Sequence, residues 1–176
     1  MRSGIALATL ALLSWSAAAV PQVRGTAPAG GGKGPDASVR KLSPAQSTAA
    51  YKDYMLQCAG CHRFDGGGAA RRGVPSFRGS IGLLADTPAG RDYMVRVPGA
   101  AQSQLSDAEL ANVLNWAVLT YGPAVPDFQA FTAAEVGAAR PHRFNDVARV
   151  RRELAGQLAR KGRVLAPYTY GMNPAQ

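Results

Sequence analysis

The sequence predicts an all-α protein, and three observations carry that reading. Ser106-Asp107-Ala108-Glu109 is a capping box, in which the serine can bond the N3 amide while the glutamate returns to the N-cap amide. Behind it Leu110, Val113, Leu114, Ala117, Val118 and Tyr121 form an apolar stripe at i, i+3, i+4, i+7 spacing, and Gly122-Pro123 stops the helix. A second stripe, Val147, Val150, Leu154 and Leu158, follows a capping Asn145 and is closed by Gly162. No stretch sustains the period-two alternation that a half-buried strand requires.

In chain order, Met1-Arg2, an apolar run over residues 5–13 and a small-residue stretch over 14–19 form the three regions of an export signal, with Ala17-Ala18-Ala19 offering an Ala-x-Ala site. The expected cut follows Ala19. The run is too short for a membrane span, which takes about 20 residues, so signal peptide 1–19 implies an exported protein with no stable membrane span after cleavage. Residues 20–43 are dominated by Gly, Pro and Ala, including Ala29-Gly30-Gly31-Gly32-Lys33-Gly34-Pro35. Such a segment buries too little apolar surface to offset its ordering entropy and reads as a flexible linker.

A first helix is expected to open at Ser43-Pro44 or Ser47, with serine as cap and proline at the first position. Tyr51, Tyr54 and Met55 recur at helical spacing and are expected to face the core. The helix runs into Cys58-Ala59-Gly60-Cys61-His62, and this pentapeptide organises the rest of the chain. Two cysteines with two residues between them and a histidine directly after form the haem-attachment pattern. On a helical turn residues three apart share a face, so each thiol can add across one haem vinyl group while the histidine Nε2 reaches the iron as proximal ligand. A zinc knuckle would need four ligands, yet the chain has no other cysteine and only His142 besides. In an exported chain a cysteine pair would otherwise be read as a disulfide; directly before a histidine the two thiols are better used as thioether donors.

Asp65-Gly66-Gly67-Gly68 ends this helix and begins a loop expected to run to about Thr87. Within it stands Gly73-Val74-Pro75-Ser76-Phe77-Arg78-Gly79-Ser80-Ile81-Gly82. Together with the CAGCH pentapeptide and the Leu105-Ser106-Asp107-Ala108-Glu109 helix start, this stretch resembles the class I cytochrome c family, small periplasmic or intermembrane haem proteins. The resemblance covers residues 47–122 and implies a small cytochrome c-like haem domain, bounded at 44–124, with one covalently attached haem c held by Cys58, Cys61 and His62. It also implies that the Pro75 carbonyl accepts the Nδ1–H of His62, a bond that fixes the ring and tunes the metal. The helix after Ser106 would be the one that crosses the first helix beside the haem, with Trp116 on its flank. A haem domain this small has a marginal core unaided, and the cofactor would supply the missing apolar area.

The resemblance breaks at the sixth ligand. The family's methionine stands in a Met-Pro pair shortly before the last helix, and here that pair is Val97-Pro98. Three readings stay open: Met94 supplies its sulfur, which makes it the provisional distal ligand; the iron has no strong distal ligand and offers an open site; or His142 reaches in. Met55, on the helix leading to the proximal side, is read as core.

Beyond Pro126 lies a basic helical extension and tail, 125–176. Thr132-Ala133-Ala134-Glu135 is a second capping-box signature, opening a short helix that Pro141 must end. On the longer helix after Asn145, Arg149, Arg151, Arg152, Arg160 and Lys161 are expected on the faces away from the apolar edge, with Arg163 just beyond. The tail holding Pro167, Tyr168 and Tyr170 is expected to be extended. Twenty Lys and Arg stand against eleven Asp and Glu, a formal charge of +9. An exported chain with no aromatic-interleaved basic surface is a poor nucleic-acid binder; a basic surface around a haem edge would steer an acidic redox partner.

The expected function is that of a periplasmic monohaem c-type cytochrome passing single electrons between a periplasmic dehydrogenase and a downstream acceptor, an electron carrier rather than a catalyst. Two alternatives stand beside it: an open-site haem protein binding a small ligand or peroxide, and a cytochrome subunit docked on an oxidoreductase through the extension.

Overall fold

The computed structural model describes residues 41–167. The signal peptide at 1–19, nearly all of the linker at 20–43 and the tail tyrosines Tyr168 and Tyr170 lie outside them. Eight α-helices follow in order: α1 Pro44–Gln57, α2 Ala59–His62, α3 Ile81–Ala85, α4 Pro88–Arg96, α5 Pro98–Ala101, α6 Asp107–Tyr121, α7 Ala133–Ala139 and α8 Val147–Ala159. A turn of 3-10 helix, Ala70–Arg72, sits between α2 and α3. Among the described residues there is no strand, and an isolated antiparallel bridge joins Ala69 to Val74. Over these residues the protein is all-α. No helix among them is long and apolar enough to cross a membrane.

Helix α1 starts at Ser43, not Ser47. Its hydroxyl accepts from the Gln46 amide at 3.2 Å while the Gln46 side chain accepts from the Ser43 amide at 3.0 Å, closing a capping box with Pro44 in the first turn. The inward face of α1 is narrower than its apolar spacing implied. Ala50 and Tyr54 are fully buried, but Tyr51 is 51% exposed and Met55 39% exposed. Helix α1 packs against α6, and Tyr51 lies at the edge of that contact, its ring edge-on to Trp116 of α6 at 5.9 Å. Helix α6 opens on its own capping box at Ser106 and Glu109 and buries Leu110, Ala111, Val113, Leu114, Asn115, Ala117 and Val118, so it is central and packs against α1, α3 and α7.

The span expected as one loop to Thr87 contains the 3-10 turn and α3. Helices α4 and α5 were likewise not read from periodicity, because both are too short to show one. Each begins on a proline, Pro88 or Pro98, and Thr87 caps α4 by accepting from the Gly90 amide at 3.1 Å.

The C-terminal extension is stapled to the rest. Arg91 of α4 meets Glu135 of α7 in a two-pronged pair, Nε to Oε1 at 2.7 Å and the second prong at 2.6 Å, and lies 3.9 Å over the Phe131 ring. Glu135 is therefore spent on Arg91, and only the Thr132 half of the second capping box forms, at 3.1 Å. Asn115 of α6 is buried and grips Phe131 twice, its amide donating to the carbonyl at 3.0 Å and its oxygen accepting from the Phe131 amide at 2.7 Å. Arg140 donates to the carbonyls of Ala101 at 3.0 Å and Leu105 at 2.6 Å and pairs with Asp107 at 3.0 Å.

Helix α8 is capped by Asp146, whose side chain accepts from the Arg149 amide at 2.9 Å, and not by Asn145. Its buried residues are Arg151, Leu154 and Leu158. Arg151, expected on a solvated face, is 3% exposed. It stands four residues after Val147 and three before Leu154, in register with the apolar stripe.

Candidate functional site

The end of α1 and the single turn of α2 build the site. The Cys58 amide donates to the Tyr54 carbonyl at 2.8 Å, and the His62 amide donates to the Cys58 carbonyl at 2.9 Å. That turn sets the two thiols on a common face, Cys58 half-buried and Cys61 exposed, both unbridged. Burial pushes the Cys58 thiol up to about 11, with the Asp53 carboxylate and Cys61 adding to it, so it stands as a neutral thiol at neutral pH.

His62 Nδ1 lies 3.2 Å from the Pro75 carbonyl oxygen. A carbonyl can only accept, so Nδ1 carries the proton and Nε2 holds the lone pair. Burial pushes the imidazole down to about 4; the Pro75 bond opposes that fall and the Arg151 charge adds to it. The ring is thus neutral and oriented, the state a metal ligand requires. Phe77 stacks on it with centroids 3.9 Å apart and planes 19° from parallel.

The chain needs a sharp return to bring Pro75 under His62. The Gly68 amide donates to the His62 carbonyl at 3.0 Å, and Gly68 has φ +63. A Cβ there would stand 2.5 Å from the Pro75 oxygen itself, so the close approach depends on the missing side chain. Two tyrosine tips hold the strand of chain after His62: Tyr54 donates to the Arg63 carbonyl at 2.6 Å and Tyr121 to the Phe64 carbonyl at 2.7 Å. Arg63 itself sits at φ 66, ψ 160, a region glycine favours.

Cys58, Cys61, His62 and Pro75 line one cavity of about 320 Å³, within the usual range for small-molecule sites. Its walls are mostly apolar and include Phe77, Ile81 and Leu84 on one side, Leu110, Val113, Leu114 and Ala117 of α6, and Met94, Val97 and Pro98 from α4 and α5. Met94 is 6% exposed and lines the cavity, and so does Val97. His142 is exposed and is not a lining residue; its carbonyl accepts from Arg96. Trp116 packs against Tyr54 with ring centroids 5.1 Å apart. Val147 and Arg151 of α8 also line the cavity. Reading the sequence missed both, although the register of Arg151 with Leu154 and Leu158 was there to be read.

The donor set, two thiols three residues apart and a neutral imidazole with only Nε2 left to give, suits a thioether-linked porphyrin whose iron takes nitrogen. It does not suit zinc: among the described residues no group of three or more His, Cys, Asp or Glu side chains gathers as a metal site. Comparison of the chain with protein-family models and with curated proteins finds no match.

Proposed function

We propose that this protein is an exported, periplasmic monohaem c-type cytochrome built like class I members, passing single electrons between a periplasmic dehydrogenase and a downstream acceptor. One observation carries the reading: His62 gives Nδ1 to Pro75 at 3.2 Å and so keeps Nε2 for a metal, beside two unbridged thiols on the wall of an apolar cavity. Cys58 and Cys61 would form the thioethers and His62 would be the proximal ligand. Haem, when bound, supplies a one-electron couple. The residues of the chain do the rest. Pro75 and Phe77 hold the imidazole plane, the apolar walls of α3 and α6 exclude water, and Met94 is the favoured distal ligand. Arg63, Arg71, Arg72 and Arg78 are exposed near the attachment turn and support an acidic partner.

The test is expression with a haem c maturation system. A covalent haem that survives denaturation in the native chain and is lost in C58A/C61A is expected; a native chain that never acquires haem overturns the reading. The presence of Val97 on the distal wall favours a second reading, an open site for a small ligand. Met94→Ala separates the two. With Met94 as ligand, the ferric spectrum loses its thioether-to-iron band and CO binds the reduced protein faster. With an open site, the native protein is already high-spin and the variant changes neither.

A further inference from the structure

We propose that the rings from Tyr51 to His62 form a route that carries electrons inward, from the protein surface to the bound haem, when hydrogen peroxide oxidises it. The inference rests on the haem reading above, in the form where peroxide reaches the iron. It begins with ring contacts. The Phe77 ring stacks on His62 with centroids 3.9 Å apart and stands 6.4 Å from the ring of Tyr54. Tyr54 lies 5.1 Å from Trp116, and Trp116 lies 5.9 Å from Tyr51. The series starts on the residue assigned to the iron and ends on a side chain that is 51% exposed.

Packing alone does not call for these residue types. Leucine or phenylalanine would fill the seam between α1 and α6 and leave no buried hydroxyl to satisfy. Beyond Phe77, which serves as a bridge, the rings are phenols and an indole, and these give up one electron far more readily than a phenyl ring. Short steps between such rings carry charge faster than one long jump, because tunnelling falls off exponentially with distance. The protons decide where the charge comes to rest. An oxidised phenol must shed its O–H proton. Tyr54 is fully buried, and its hydroxyl donates at 2.6 Å to the Arg63 carbonyl, an acceptor that is no base. Tyr121, 5.5 Å from Tyr54 and 5.4 Å from Trp116, is tied in the same way to the Phe64 carbonyl at 2.7 Å. Tyr51 meets solvent and can release its proton to water. The electron deficit therefore passes Tyr54 and Trp116 and stops at Tyr51.

The step balances with peroxide as the oxidant and the phenols as the reductant. Overall, one hydrogen peroxide and two Tyr51 phenols, from two copies of the chain, give two waters and two tyrosyl radicals. Two electrons and two protons pass to the peroxide, its O–O bond breaks, and the iron ends as it began. Electron exchange between the exposed phenols of two copies lets one haem collect both electrons. The two radicals then couple through ring carbons, so the product is a dityrosine dimer lighter than two chains by two hydrogens.

The experiment treats the haem-loaded full chain and its Y51F, W116F and W116Y variants with hydrogen peroxide. It reads dityrosine, located by peptide mass mapping, and the rate at which the haem absorption bleaches. The native chain should give a dimer cross-linked at Tyr51. Y51F should lose that dimer and bleach faster, because the oxidising equivalents stay at the cofactor. W116F should do the same although its Tyr51 is intact, and W116Y should recover the cross-link. A Tyr51 cross-link of native yield in W116F overturns the proposal, since attack from solution then accounts for it. A native cross-link mapped to Tyr168 or Tyr170 instead, or bleaching unchanged in Y51F, also overturns it. So does a haem-loaded native chain that is inert to peroxide. Should W116F fail to fold, Y51F, altered at an exposed position, decides. Failure of the haem reading is separate: it shows as a native chain that never acquires covalent haem, before any peroxide is added.

Discussion

The hydroxyl of Tyr54 donates to the carbonyl of Arg63 across 2.6 Å, so the helix that delivers Cys58 also holds the residue that follows His62. Tyr54 thus holds both ends of the turn, its carbonyl accepting from the Cys58 amide and its hydroxyl donating beyond His62. Burial holds the Tyr54 hydroxyl well above the ordinary tyrosine range, so it keeps the proton it donates. Tyr54→Phe keeps the ring and loses the clasp. It should cost about 1 kcal/mol in denaturant unfolding, and no loss of stability would show that the bond contributes nothing.

Arg63 carries the opposite term. At φ 66, ψ 160 an L side chain is strained by roughly 1–3 kcal/mol, and its ion pair with Asp65 is long, 3.6 Å, with the arginine largely exposed. Arg63→Gly should therefore raise the melting midpoint, since relief of strain exceeds the added freedom of the unfolded chain. A fall in the midpoint would mean the conformation is not strained.

Gly68→Ala should be among the most damaging small substitutions. The new methyl would lie 2.5 Å from the oxygen that receives the His62 Nδ1 proton, on a residue at φ +63. A loss of about 2 kcal/mol or more is expected, and in the haem-loaded protein a shifted potential as the ring loses its orienting bond. Alanine tolerated at native stability would rule out the close approach.

Acid should find Asp65. Its carboxylate accepts from the Gly67 amide at 2.9 Å and pairs with Arg78 at 3.0 Å, and the amide bond first, then the arginines, hold it below the usual carboxylate range. A depressed folded pKa means the stabilisation is fully present above the unfolded value and is lost as pH falls through the folded one. In pH-dependent unfolding Asp65→Asn should be less stable than the native protein at pH 6 and converge with it under strongly acidic conditions. Parallel curves at every pH would refute the assignment.

The Arg91–Glu135 staple predicts how the extension behaves. Glu135→Gln removes the charge from a two-pronged, partly buried pair and should cost about 1.5–3 kcal/mol. Limited proteolysis should then cut in the α7–α8 region before the rest of the chain. Digestion unchanged from native would show that other contacts hold the extension alone.

What the sequence discloses and what it conceals divide along physical lines. The α6 stripe, the caps at Ser43, Ser106 and Thr132 and the turn from Cys58 to His62 are local patterns, and the chain folds them where they stand. Helices α4 and α5 are too short for a period to emerge, and their prolines were the available signal. Tyr51 and Met55 were misplaced because spacing marks a face but not how wide a crossing it makes. Arg151 was misplaced because charge was weighed above register. The Pro75 acceptor came from a family resemblance, while Gly68, which makes room for it, is visible only once the two backbones are seen together.

The wall formed by Val147 and Arg151 has a consequence for the order of assembly. These residues come from the last helix of the described chain, whereas the thiols and imidazole they face lie near its beginning. During synthesis the turn holding Cys58, Cys61 and His62 emerges before α8, and the slot then lacks one side. A cofactor would be fastened to an accessible loop, and only afterwards would the late helix swing in and shut the slot. Loading would then precede closure in time.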